Sequence, residues 1–71
     1  MMNIKSQVVS ALRSKYESEI ASAKVNLDVY FYNTVGVAEH PDIMETVEKE
    51  LAIIAEYDDK LEALRKYFPE D

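Results

Sequence analysis

Two long segments of the chain repeat their apolar residues every three or four positions, the period of an amphipathic helix. In the first, Ile4, Val8, Leu12, Tyr16, Ile20, Ala23, Leu27 and Tyr30 fall along one face of a helix of about 28 residues. Asn3, just ahead, carries a side-chain oxygen able to accept from an unpaired amide of the first turn. In the second segment Val47, Ile54, Leu61 and Phe68 recur at heptad spacing, with Met44, Leu51, Tyr57 and Leu64 in the intervening turns, approximating a coiled-coil seam. Neither segment alternates as a strand does. The pattern predicts a first helix over about residues 3–32, a loop over about 33–40 and a second helix over about 41–68.

The corner between them holds the single glycine, Gly36, and the single histidine, His40. Asn33 and Gly36 tolerate the positive φ used where helices stop. His40-Pro41-Asp42 reads as a helix start, with proline at a position that loses no useful donor and Asp42 and Glu45 facing the positive end of the dipole. Either Glu39 or His40 would then stand at the cap. Ser14-Lys15-Tyr16-Glu17 also matches a capping box, but the apolar stripe runs through it without interruption, so no helix starts there.

Folding the chain at Gly36 sets positions whose numbers sum to about 73 opposite one another, as in an antiparallel helical hairpin. Ile4 meets Phe68, Val8 meets Leu64, Leu12 meets Leu61, Tyr16 meets Tyr57, Ile20 meets Ile54, Leu27 meets Val47 and Tyr30 meets Ile43. Two helices cannot cover stripes this wide. Val9, Val25, Met44, Leu51, Ile53 and Tyr67 extend the apolar arcs past a single partner. The expected architecture is therefore all-α: a coiled-coil-like two-helix hairpin forming one domain over residues 1–71, paired with a second copy into a four-helix bundle. Leu12, Tyr16, Ile20, Leu27, Val47, Leu51, Ile54 and Leu61 would form the core of that oligomer.

Size points the same way. A chain of 71 residues buries too small a fraction of its surface to be comfortably stable alone, and the absence of cysteine removes disulfides and thiolate metal sites. Self-association is the remaining route to more burial. A homodimer is the first expectation and a tetramer the second. Ser10, Ser14, Ser18 and Ser22 recur every four residues with Ala11 and Ala21 beside them, which is either a solvated face of short side chains or a close helix contact.

Fourteen acidic against eight basic groups give a net charge of -6, which speaks against direct binding to nucleic acid through its phosphates. The charge lies mostly in the second half. Residues 1–38 carry Lys5, Arg13, Lys15 and Lys24 against Glu17, Glu19 and Asp28, while residues 39–71 carry 4 basic and 11 acidic groups, so the two halves should attract weakly. Glu45 with Lys49, Glu56 with Lys60 and Glu62 with Lys66 are acid-before-base pairs at helical spacing. No stretch approaches the roughly 20 apolar residues of a membrane span and the N-terminus lacks the apolar run of a signal peptide, so a cytoplasmic protein with no membrane partner is expected.

Candidate chemistry is sparse. There is no glycine-rich phosphate loop, no nucleophile beside a base and no second histidine. Glu39, His40 and Asp42 could hold a divalent cation, but adjacent side chains rarely converge on one ion, and a structural corner explains the same residues. No cofactor is expected. Three consecutive aromatics, Tyr30, Phe31 and Tyr32, cannot all face one core, so Phe31 and Tyr32, with Glu39 and His40, form a candidate interaction surface at the loop end.

The run from Asp28 to Ile43, with Val35-Gly36, Glu39-His40 and Asp42 between two helices, resembles a segment of short, uncharacterised proteins of tailed bacteriophages. The resemblance covers the corner and its helical flanks. It implies no activity and transfers no catalytic or binding residue, but it implies an accessory role in the cytoplasm of an infected host cell. The reading that follows is a non-enzymatic, self-associating interaction or structural module. Its alternatives are an acidic inhibitor or regulator of a host protein and, third, a metal site at the corner.

Overall fold

A computed structural model of the chain describes residues 3–32 and 42–69. Two helices account for nearly all of them: α1 over Ile4–Tyr32 and α2 over Ile43–Tyr67. They pack against each other along their length, and among the described residues there is no strand. Tyr16 touches Tyr57 and Asn26 touches Glu50, so positions rise along α1 as they fall along α2 and the pair is antiparallel.

Local chemistry sets the ends. Asn3 caps α1, its Oδ1 accepting from the Ser6 backbone amide at 2.8 Å. At the start of α2 the cap position belongs to Asp42, not to Glu39 or His40. Its side chain makes no cap bond, while its carbonyl accepts from the Thr46 amide and the Thr46 hydroxyl, both at 3.1 Å. Pro41, read from the sequence as the first helical residue, lies outside the described residues, as do Asn33, Gly36, Glu39 and His40. α2 ends where the Phe68 amide donates to the Leu64 carbonyl at 2.9 Å, with Arg65 and Lys66 in its last turn facing the negative end of the dipole. Proline follows at position 69 and cannot extend the helix.

The seam between the helices differs in detail from the sequence pattern. On α1 the apolar residues turned inward are Val9, Leu12, Tyr16, Ile20, Ala23, Leu27 and Tyr30, while Ile4 and Val8 are exposed. Helix geometry explains the shift. With 3.6 residues per turn, a run at strict spacings of four precesses, so Val8 lies roughly 80° and Ile4 roughly 120° around the axis from Tyr16, whereas Val9 lies within about 20°. Val9 therefore takes the place expected of Val8.

On α2 the inward residues are Ile43, Val47, Glu50, Ile54, Tyr57, Leu61 and Leu64, alternating by four and three without a break. Met44 and Leu51, expected in the seam, stand exposed beside it because each sits one position past the heptad register. Phe68 is in register but falls beyond the last helical residue, at φ -135° and ψ 59°, and is exposed as well.

Burial is thin. Among the described residues only Val9, Ala23, Leu27, Leu61 and Leu64 are buried, and none of the large side chains is wholly removed from water. The molecule is a rod with extents of 52 × 19 × 14 Å. Its radius of gyration is 16.0 Å, against about 11 Å for a compact chain of this length.

Charge is distributed along the rod rather than between the helices. The open half, residues 3–16 with 57–69, carries Lys5, Arg13, Lys15, Lys60, Arg65 and Lys66 against Asp58, Asp59 and Glu62. The loop half, residues 17–32 with 42–56, carries Glu17, Glu19, Asp28, Asp42, Glu45, Glu48, Glu50 and Glu56 against Lys24 and Lys49. The acidic parts of both helices lie side by side, so the weak attraction expected between the halves of the sequence is replaced by like charge at the loop end.

Candidate functional site

The features that could meet another molecule are three apolar surfaces outside the seam. The largest runs along α1 on the side away from α2. Ile4, Val8, Val25, Val29 and Tyr32 are all exposed, from 48% at Val8 to 81% at Tyr32. Their spacings place them on one line with Ala11, Lys15, Ser18 and Ser22 between the two apolar ends. Two of the four regularly spaced serines thus belong to this outer stripe, and Ser10 is half-buried nearer the seam.

A second surface lies at the loop end. Phe31 and Tyr32 are exposed, with their rings edge to face at 6.4 Å, while Tyr30 turns partly inward. The expectation that the three aromatics cannot share one core therefore holds for two of them. Met44 and Leu51 are exposed on the neighbouring helix. Glu39 and His40, the other members of the candidate surface, lie outside the described residues. Among the described residues no three histidine, cysteine, aspartate or glutamate side chains come together as a metal site would require.

The third surface is at the open end. A groove of about 250 Å³, open to solvent, is lined by Tyr16, Lys60, Ala63, Leu64, Tyr67 and Phe68. Beside it a shallower depression of about 490 Å³ is lined by Asp59, Glu62, Lys66 and their neighbours. Lys60 organises this region. Its Nζ donates to Glu56 Oε2 at 3.1 Å and lies 4.9 Å from the centre of the Tyr57 ring and 5.9 Å from that of Tyr16. Those two rings stack against each other in the seam at 5.6 Å.

The hydrogen bond to Glu56 raises the Lys60 pKa above its ordinary value, with smaller contributions in the same direction from the charges of Glu56 and the two tyrosines and a desolvation effect opposing them. Lys60 thus stands as a cation beside the two rings. Glu45 and Lys49 pair at 3.7 Å on the exposed side, and Lys66 lies over the Tyr67 ring at 5.3 Å.

Seven of the eight residues expected to form an oligomer core lie in or beside the hairpin's own seam: Leu12, Tyr16, Ile20, Leu27, Val47, Ile54 and Leu61 are buried or half-buried between α1 and α2. Leu51 alone is exposed and free to meet a second molecule. The sequence pattern also passed over Glu50. It occupies a seam position between Val47 and Ile54, half-buried, and accepts a hydrogen bond from the Asn26 side-chain amide at 3.2 Å. Counting seven back from Tyr57 finds it.

No helix among the described residues is long and apolar enough to cross a membrane. No family model, no curated protein and no solved structure matches this chain.

Proposed function

We propose that this chain is a non-enzymatic interaction or structural module that works as an assembly of helical hairpins, a homodimer in the first instance and a tetramer in the second. The single observation that supports this most strongly is the surface left uncovered. The chain exposes 5618 Å², whereas a compact chain of its mass exposes about 4,500 Å². Among the described residues ten large hydrophobic side chains are exposed, and isolated soluble chains rarely leave contiguous apolar patches of more than a few hundred Å² open to water. Pairing of two hairpins into a four-helix assembly covers part of this surface. Cytoplasmic placement, within an infected host cell for a phage accessory protein, belongs to the same reading.

Light scattering coupled to size exclusion tests the proposal. The expected result across micromolar concentrations is a mass of two chains or more, and a mass of one chain, 8.2 kDa, counts against it.

A second reading rests on the loop half, whose described residues combine eight acidic groups with the exposed Phe31, Tyr32, Met44 and Leu51. That combination suits a basic, partly apolar site on a host protein, which the chain would inhibit or regulate. Affinity capture from bacterial lysate with the assembled form tests it, and failure to recover a stoichiometric partner argues against it.

A further inference from the structure

The outer stripe of α1 has a symmetry that the rest of the surface lacks. Its residues run Ile4, Val8, Ala11, Lys15, Ser18, Ser22, Val25, Val29, so it is branched and apolar at both ends and short or polar in the middle. Laid against a reversed copy of itself, the stripe puts Ile4 opposite Val29, Val8 opposite Val25, Ala11 opposite Ser22 and Lys15 opposite Ser18. Each of the four branched end residues then meets another, while Tyr32, the last member of the stripe, extends past Ile4 of the copy. A two-fold contact between identical helices requires such self-complementarity, because each residue pair occurs twice, once on either side of the axis.

Charge selects the same arrangement independently. The first half of α1, residues 3–16, holds three basic residues, Lys5, Arg13 and Lys15, and no acidic one. The second half, residues 17–32, holds Glu17, Glu19 and Asp28 with Lys24 as its one base. This order opposes the helix dipole: α1 has no acidic residue in its first turn and no basic residue in its last. Nor does α2 correct it, since its own acidic end lies beside that of α1. An antiparallel second copy does, bringing the basic open half of one hairpin against the acidic loop half of the other at both ends of the contact.

Ala11, Ser18 and Ser22 flank the axis, and Lys15 lies across the short Ser18 of the copy with its ammonium directed to solvent.

From these observations we propose that a second copy of this chain docks along the outer stripe of α1, antiparallel and about a two-fold axis beside Lys15 and Ser18. The assembly is then a flat stack of four helices with the two α1 helices back to back inside and each α2 outside, not a square bundle. This interface rests on the self-association reading above and specifies its geometry.

The natural chain has no cysteine, so single thiols report the geometry directly. Val8→Cys and Val25→Cys are made separately, checked for helicity by circular dichroism, tagged to differ in mass and oxidised alone and mixed. The expected product is the mixed Val8→Cys with Val25→Cys disulfide dimer, with neither variant linking to itself, because like positions stand ~26 Å apart along the axis at 1.5 Å per residue. Ile4→Cys with Val29→Cys is the replacement pair should either variant lose its helices, with the same expectation.

Self-linking of Val8→Cys, the signature of parallel pairing, overturns the proposal. So does the absence of any link in a sample whose mass is that of a dimer, which leaves self-association standing through another face. A monomeric mass for the natural chain removes the self-association reading itself, and the interface with it.

Discussion

Glu50→Leu should stabilise the hairpin. Glu50 sits at the one position of the α2 seam whose side chain is acidic, between Val47 and Ile54, with most of its surface covered and one hydrogen bond, to Asn26. Full burial of a leucine side chain is worth about 1.5–3 kcal/mol, so half-burial here contributes roughly 1 kcal/mol. Loss of the exposed Asn26 bond costs about 0.5 kcal/mol. Removing one of eight acidic groups from the loop half relieves self-repulsion and returns a similar few tenths of a kcal/mol. Glutamate and leucine have nearly equal helix propensity, so the backbone term cancels.

The net gain is about 1 kcal/mol, which in a domain of this size raises Tm by roughly 4–8 °C. Thermal unfolding followed by circular dichroism at fixed protein concentration measures it. Glu50→Gln keeps a partner for Asn26 while removing the charge, and should recover less than half of the rise. A lower Tm for Glu50→Leu would falsify the account, because it would mean that Glu50 is held by interactions stronger than those packing supplies. A polar residue in a coiled-coil seam also fixes register. The same variant should therefore broaden the distribution of assembled masses even as it melts higher.

Leu27→Ala removes one of the few buried side chains and should cost about 3 kcal/mol from lost transfer energy and cavity formation, lowering Tm on the order of 15 °C. A drop of less than a few degrees would show that the seam near Leu27 is not packed as described. Lys60→Met tests the cation between the two tyrosines. Its pKa is raised above 10.5 in the folded chain, so its contribution is fully present below that pH and is lost as pH rises through the folded value. Between about pH 10 and 11 the natural chain should lose stability faster than Lys60→Met, and parallel alkaline limbs in denaturant titrations would remove Lys60 from the account.

Much of this architecture was legible in the sequence, and the exceptions share a cause. Tyr16 opposite Tyr57 follows from folding the chain at Gly36, and the cap at Asn3 follows from its side-chain chemistry. Not every residue of an apolar repeat faces the same partner. Ile4 and Val8 continue a four-residue spacing that has precessed off the seam, and Met44 and Leu51 stand one place out of heptad register.

Glu50 was passed over for the converse reason: a search for apolar repeats skips a polar residue that completes one. The outer stripe of α1 was partly visible as regularly spaced serines. Its meaning depended on knowing which side of α1 meets α2, which a single sequence with two apolar faces does not specify. Glu39 and His40, the distinctive pair of the corner, owe nothing to helical periodicity, and no rule of spacing assigns them a role.

The five buried residues do not form one core. Val9, Leu61 and Leu64 gather near the open end and Ala23 with Leu27 near the loop end, while the seam between is closed by the half-buried Tyr16, Tyr57, Ile20 and Ile54. Backbone amides in such a rod exchange with solvent through local opening rather than only through global unfolding. Among its described residues the loop half has only Ala23 and Leu27 in the buried class, its other seam residues being half-buried, and like charge on both helices favours separation. It is therefore the half whose amides should exchange first, and the half in which a bound partner, by closing those openings, would leave the clearest imprint.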